Sequence, residues 1–199
     1  MEESYNIMEP RIICLTGYSK VGKSQIQEWL ESDYGYLAKD DAEIWRKAAS
    51  VIYGISEEDF TTQEGKGKKN PFPNLEENNN NFLYENRKLV GDLGKYLENK
   101  HGTTFKAVSN MNNIIKEYGN DFPNMSFGSV RFDQASVYKK YGSLVIEIIR
   151  PGFNSLYDFD VYDKSLIDET IYNDGSLEDL KNKLDEVMNK YTSKKDMKI

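Results

Sequence analysis

The sequence predicts an α/β sandwich, a mostly parallel sheet with helices on both faces. Three observations carry that expectation. Arg11–Thr16 (RIICLT) and Leu144–Ile149 (LVIEII) are short isoleucine-rich runs with the character of buried strands. Apolar residues at helical spacing follow the first run at Ile26, Trp29 and Leu30, and close the chain at Leu177, Leu180, Leu184 and Val187. Between these segments, strand-like and helix-like patterns alternate.

Taken in order, Arg11–Thr16 is the first strand and Val21–Glu31 the first helix. Asp40-Asp41-Ala42-Glu43 has the form of a capping box. It predicts a helix with Ile44, Trp45, Ala48, Val51 and Ile52 inward, stopped by Gly54. Residues 55–82 hold Gly65, Gly67, Pro71, Pro73, lysines 66, 68 and 69, and the run Asn78–Asn81. They read as a long loop: a lid, a binding loop or a solvated insertion. Leu89, Leu93, Tyr96 and Leu97 mark a helix ending near Gly102. Phe105, Val108, Met111, Ile115 and Tyr118 form the inner face of the next, ended by Gly119. Met125–Val130 is a candidate strand and Asp133–Tyr141 a short helix. After Leu144–Ile149 comes a second loop, residues 150–167, rich in Asp and Tyr. Asp168–Tyr172 is a last strand, Leu177–Tyr191 a last helix, and Thr192–Ile199 a frayed tail.

Composition narrows the function. A chain of 199 residues, 38% hydrophobic and 30% charged, suits one compact domain with a real core. No run of about 18 apolar residues occurs, so no membrane span is expected. The opening MEESYNIMEP lacks an apolar signal region, and a cytoplasmic location is expected, a host cytoplasm if the source is viral. The single cysteine, Cys14, lies in an apolar run and reads as a buried, inert thiol. The net charge of −7 disfavours a grip on nucleic acid but leaves room for a small phosphorylated ligand in a local cationic pocket.

The chemistry is concentrated in Gly17-Tyr18-Ser19-Lys20-Val21-Gly22-Lys23-Ser24, a GxxxxGKS pattern preceded by a strand and followed by a helix. Gly17 and Gly22 permit backbone torsions and close approaches that a Cβ obstructs. Loop N–H groups at a helix start point toward anionic oxygens. Lys23 is therefore expected to bridge the β- and γ-phosphates of ATP, and Ser24 to hold Mg²⁺ through its hydroxyl. Lys20 adds charge, and the ATP-contacting stretch is expected to run from Gly17 through Gln25. The plain alternative is a glycine turn that happens to cap a helix. A P-loop alone does not separate kinases from other nucleotide hydrolases, but the chain lacks an NKxD base-reading motif and the size of large ATPases.

Several segments resemble the bacteriophage deoxynucleoside monophosphate kinases, members of the P-loop nucleotide kinases. Ile148-Ile149-Arg150-Pro151-Gly152, a loop, and then Ile171-Tyr172-Asn173-Asp174-Gly175-Ser176-Leu177-Glu178-Asp179-Leu180 is similar to that family's ending. Asn86-Arg87-Lys88-Leu89-Val90-Gly91-Asp92-Leu93-Gly94 resembles its basic-pair helix, and Val130-Arg131-Phe132 its D-x-R segment. The resemblance implies a three-layer P-loop NTPase fold with a core over about 11–36 and 120–191. It also implies a helical substrate-binding lobe over about 37–119 and a short lid at 150–167. It further implies transfer of the γ-phosphoryl group of ATP to a deoxynucleoside monophosphate, with Mg²⁺. Lys23, Arg131 and Arg87 would be catalytic, and Arg87, Lys88 and Arg131 would bind the acceptor. Arg150 would enter the ATP site, and Asn173, Asp174 and Gly175 would line the adenine pocket. A plain turn and helix cap is the other reading of Asn173-Asp174-Gly175.

Departures fall mainly on the acceptor side. Ser129 stands where the family has the acid of D-x-R. Leu37-Ala38-Lys39-Asp40-Asp41 lacks the proline and lysine of the family's substrate segment, and the second loop lacks its histidine and acidic pair in recognisable form. His101, beside a predicted helix end, reads as structural. The expected partners are small nucleotides, with no nucleic acid and no membrane, and a homodimer is left open. A kinase of another small acceptor, such as dephospho-coenzyme A, and a degenerate nucleotide-binding protein are the alternatives.

Overall fold

The computed structural model describes residues 9–73, 81–155 and 160–192. These fall into two compact units, residues 42–106 and the rest of the chain.

The larger unit contains the parallel sheet. β1 (Ile12–Thr16), β2 (Leu37–Lys39), β5 (Met125–Phe127), β6 (Ser143–Ile149) and β7 (Glu169–Tyr172) lie in the order β2-β5-β1-β6-β7, while β3 and β4 belong to the smaller unit. β1 is buried along its whole length, as a central parallel strand covered on both faces must be. Alternation sorts its side chains into two layers. Ile13 and Leu15, with Ile146, Ile148 and Ile171, pack on α1 (Lys23–Ser32) and α8 (Leu177–Thr192) through Ile26, Leu30, Leu180 and Leu184. Ile12 and Cys14, with Met125, Phe127 and Val145, pack on α6 (Phe105–Tyr118) and α7 (Ala135–Lys139) through Met111, Ile114, Val137 and Tyr138. Each fully buried aliphatic side chain contributes about 1.5–3 kcal/mol. The result is the predicted three-layer α/β fold. Burial also pushes the Cys14 thiol well up, in keeping with an inert residue.

Sheet order decides where a site can form. The chain leaves β1 for β2 on one side and later crosses from β5 to β6 on the other. The carboxyl end of β1 is therefore at a topological switch, where open α/β sheets leave a crevice. Gln27 of α1 fixes this edge, its amide donating to Lys39 O and Ser126 O at 2.9 Å each. Parallel register places Thr16 beside Glu147 and Glu147 beside Thr170, a polar row at the same end.

The smaller unit comprises α2 (Glu43–Tyr53), two short helices, α3 (Glu57–Thr61) and α4 (Gln63–Gly67), an antiparallel hairpin of β3 (Lys69–Pro73) and β4 (Asn81–Glu85), and α5 (Asn86–His101). Its core is Ala49, Phe60 and Leu89. Asn86 is fully buried at its centre, donating to Gly65 O at 2.8 Å and Asp59 O at 3.2 Å and accepting from Asn70. Gly65 is required there, since a Cβ would lie 2.5 Å from Asp59 Cα.

Several sequence expectations need correction. Residues 55–73 are not a loop: Ser56 and Thr62 cap two helices too short for a periodicity to register. Asn78–Asn80 lie outside the described residues, as does the tail beyond Thr192. The N-cap of α2 is Ala42 and makes no side-chain cap bond, so Asp40 and Glu43 form no capping box. That helix turns Trp45, Arg46 and Ala49 inward and leaves Val51 85% exposed. α6 is rotated in the same way. Its inner face is Ala107, Met111 and Ile114, with Val108 and Tyr118 exposed. The stripe was hidden because it includes polar Asn110, whose amide donates to Asp41 O at 3.0 Å. From Ala107 onward α6 belongs with the sheet, so the inserted segment ends well before residue 119. β2, a three-residue strand, had too few residues to be seen in the sequence.

Candidate functional site

Between β1 and α1 the chain makes a tight bowl. Gly17 has φ +125, and a Cβ on it would sit 2.3 Å from Ile148 O of β6. Gly22, at φ +110, is the N-cap of α1. Lys20 also holds a positive φ, which a non-glycine residue adopts only where the surroundings impose it. Asn173, in the loop after β7, donates from its amide to Val21 O at 2.9 Å while its N–H bonds Ile149 O at 2.7 Å. The bowl is thus braced by the loop that follows the edge strand β7. Lys23, the first residue of α1, turns its ammonium into the loop and donates to Gly17 O at 2.7 Å and Tyr18 O at 2.5 Å. The first-turn N–H groups of α1 have no partner within the helix and carry its positive dipole end.

Arg131 reaches the same carbonyl. β5 runs into a segment pinned to β1, with Val130 N–H donating to Leu15 O at 3.0 Å and Thr16 Oγ1 to Val130 O at 3.0 Å. From there Arg131 Nη1 donates to Gly17 O at 2.8 Å, and Nη2 lies 2.7 Å from Asp160 Oδ1. Phe132, next in the chain, has φ +47 and is clamped by the end of the second loop: its N–H bonds Val161 O at 2.6 Å and its carbonyl accepts from Asp163 N–H at 2.8 Å. Tyr162 completes the docking, donating to Glu147 Oε1 at 2.7 Å with its ring 5.9 Å from that of Tyr18.

The electrostatics follow from this packing. Burial, then the neighbouring Arg131, push the Lys23 ammonium down to about 7, and Asp160 opposes the shift. Burial also lowers Arg131, against the pull of Asp160, Asp41 and Tyr162. Asp160 is 2% exposed, and neither of its carboxylate oxygens has a hydrogen bond. The 2.7 Å approach of Arg131 is an ion pair whose N–H directions fall outside hydrogen-bond geometry. Two cations, a buried carboxylate and a helix N-terminus around a glycine bowl can hold a polyanion and a small hard cation.

The other expected residues are placed as follows. Ser19 and Ser24 lie on the bowl and the first turn of α1, with Ser24 exposed. Gln25 donates to Glu28 on the α1 surface at 3.1 Å. Asp174 pairs with Lys183 at 2.5 Å, and Gly175 leads into a reciprocal cap between Ser176 and Asp179, the turn-and-cap reading. Arg150 is exposed, its guanidinium 4.8 Å from the Phe153 ring centroid. Arg87 and Lys88 are in the first turn of α5, in the smaller unit. Lys88 pairs with Asp92 at 2.6 Å, and Arg87 lies close enough to Lys66, with Arg46, to lower that ammonium after burial has done so. His101 stacks on Phe105, ring centroids 4.6 Å apart.

Two residues at the site were not picked out in the sequence. Asp160 lies in a loop of Asp and Tyr where nothing in the spacing distinguishes one acid from another. Asp41, taken as part of a cap, is fully buried, its Oδ1 accepting from Tyr138 Oη at 2.8 Å. Only a long-range fold brings either to Arg131.

No family model matches the sequence, and no curated protein matches it. Solved structures do. A dephospho-CoA kinase from Campylobacter jejuni superposes with a TM-score of 0.51 at 16% identity, over 92% of this chain and 98% of that one. TT1252 from Thermus thermophilus gives a TM-score of 0.48 at 16% identity, over 92% and 99%. At 16% identity the first likeness is one of fold alone: this chain shares the α/β architecture of that kinase.

Proposed function

We propose that the chain transfers the γ-phosphoryl group of ATP to a small phosphorylated acceptor. The observation that carries this reading is the convergence of Lys23 and Arg131 on Gly17 O, at 2.7 and 2.8 Å, at the mouth of a glycine bowl. A transferring phosphoryl group needs little covalent assistance and a great deal of positioned positive charge. Lys23 supplies charge at the β- and γ-oxygens, and Arg131 at the transferring group. Ser24 offers its hydroxyl to Mg²⁺, which when bound neutralises phosphate charge. The carboxylate of buried Asp160, paired with Arg131 but accepting no hydrogen bond, is an oxygen donor that suits a divalent cation.

For the acceptor, a deoxynucleoside monophosphate is the first reading, supported by the Arg150-Pro151-Gly152 and Asn173–Leu180 segments. A monophosphate has a second pKa of about 6, is already ionised at neutral pH and requires no general base. Arg87, with Lys66 and Arg46 in the same unit, is the proposed holder of its phosphate. Dephospho-coenzyme A is the second reading, favoured by the solved kinase of matching fold.

A coupled ADP-release assay over deoxynucleoside monophosphates, nucleoside monophosphates and dephospho-coenzyme A, with Lys23→Ala beside the wild type, tests the proposal. Turnover on one acceptor class that Lys23→Ala abolishes is the expected result. Tight ATP binding without turnover on any acceptor would instead identify a non-catalytic nucleotide-binding protein.

A further inference from the structure

Asp160 is a charged group in an unusual position. A carboxylate that is 2% exposed ordinarily accepts several hydrogen bonds, because losing water leaves its oxygens unsatisfied. Here both oxygens accept none, and compensation comes from the Arg131 guanidinium 2.7 Å away. The residue is also held firmly in place. Val161, Tyr162 and Asp163, which follow it, are bonded to Phe132 and Glu147 at 2.6–2.8 Å. Its position is one guanidinium away from Gly17 O, where the Lys23 ammonium is anchored.

We propose that Asp160 is the metal-side carboxylate of the phosphate site, supplied by the second loop. The proposal rests on the phosphoryl-transfer reading above. Its content is a residue role: the two oxygens without hydrogen bonds accept from the water shell of a divalent cation held with the nucleotide phosphates. Mg²⁺ keeps several of its waters in such sites, so a carboxylate can act without direct ligation. An acid placed against an arginine on one side and a hydrated cation on the other would have its charge matched in both directions.

The test is ADP affinity by calorimetry, with excess Mg²⁺ and again with EDTA, and Mn²⁺ binding in the presence of ADP by electron paramagnetic resonance. The proteins are the wild type, Asp160→Asn, Asp160→Glu and, as a neighbouring exposed acid, Asp163→Asn. Thermal melts report whether each variant is folded. The expected result for Asp160→Asn is a loss of about ten- to a hundredfold in Mn²⁺ affinity, the range typical of residues that support metal ligands. Its ADP affinity in EDTA should hold or rise, because a negative charge beside the phosphates has gone. Asp160→Glu should keep part of the metal dependence, and Asp163→Asn all of it. An equal loss with Mg²⁺ and with EDTA would overturn the proposal, showing that Asp160 only positions Arg131. Unchanged Mn²⁺ affinity would overturn it too, while leaving the nucleotide site intact. If the wild type bound no ADP under either condition, the phosphoryl-transfer reading itself would fall.

Discussion

Lys23, from α1, and Arg131, from the segment after β5, donate to one acceptor, Gly17 O, at 2.7 and 2.8 Å. Two like charges sharing a carbonyl repel, and burial reduces the solvent that would screen them. Burial first, and then this repulsion from Arg131, push the Lys23 ammonium down to about 7, with Asp160 opposing the shift. A bound polyanion would supply counter-charge to both cations.

Nucleotide binding should therefore take up a proton. Above pH 7 the free protein holds Lys23 increasingly neutral, whereas bound phosphates favour its charged form. Affinity for ATP should fall as pH rises from 7 to 9, by up to about tenfold per pH unit. Calorimetry at pH 8 in buffers of different ionisation enthalpy should give an uptake approaching one proton. In the protein alone, the unfolded chain keeps its proton up to the ordinary 10.5 while the folded chain loses it near 7, so this group makes stability rise with pH between those values.

Arg131→Lys should not rescue function. The guanidinium uses separate nitrogens for Gly17 O and Asp160, a fork that a single ammonium cannot reproduce. With turnover established, kcat should fall about 10²–10³-fold in both Arg131→Lys and Arg131→Met, while ATP KM changes little. Steady-state kinetics on the preferred acceptor decide this.

Gly17→Ala adds a Cβ 2.3 Å from Ile148 O at a φ of +125. Steric overlap and backbone strain act together, so the variant should lose about 1–3 kcal/mol in denaturant unfolding and lose ATP binding. A matched substitution at Gly142, where a Cβ meets nothing within 4 Å, should cost stability through its positive φ but leave nucleotide affinity unchanged.

Asn173→Ala removes the amide that braces Val21 O at 2.9 Å. About 1 kcal/mol of stability is at stake, as for an ordinary internal hydrogen bond. ATP affinity should drop about fivefold by the same free energy. Asp174→Ala, which breaks only an exposed pair with Lys183, should leave affinity near the wild-type value.

Arg87→Ala and Lys66→Ala should raise the acceptor KM and leave ATP binding unchanged, if the cations of the smaller unit hold the acceptor. The lowered Lys66, beside Arg46 and Arg87, is the observation behind this. Kinetics varied in acceptor and in ATP separately will distinguish the two effects.

The sheet and the bowl were legible because their signals are local. β1, β6 and α8 announce themselves as continuous apolar runs or a clean helical stripe, and the glycines of the bowl sit at fixed spacing. What was missed depends on distant contacts. Asn110 interrupts the α6 stripe but finds Asp41 and Tyr138 across the core. α3 and α4 are five-residue helices whose evidence is a capping hydroxyl, and Asn86, which ties them to the hairpin, looks in sequence like any polar helix start. Asp160 gained its place only when the second loop paired with Phe132. Single acids in polar loops carry no periodicity, so their roles emerge from the fold.

The account stands most directly on one titration, Mg·ATP into the wild-type chain and into Lys23→Met by calorimetry. The expected result is one ATP per wild-type chain and a loss of about a hundredfold or more in Lys23→Met, with the variant melting no lower than the wild type because a buried, electrostatically opposed charge has been removed. Equal affinity in the two proteins would contradict the account, because the bowl closed by Lys23 and Arg131 would then not be the phosphate site.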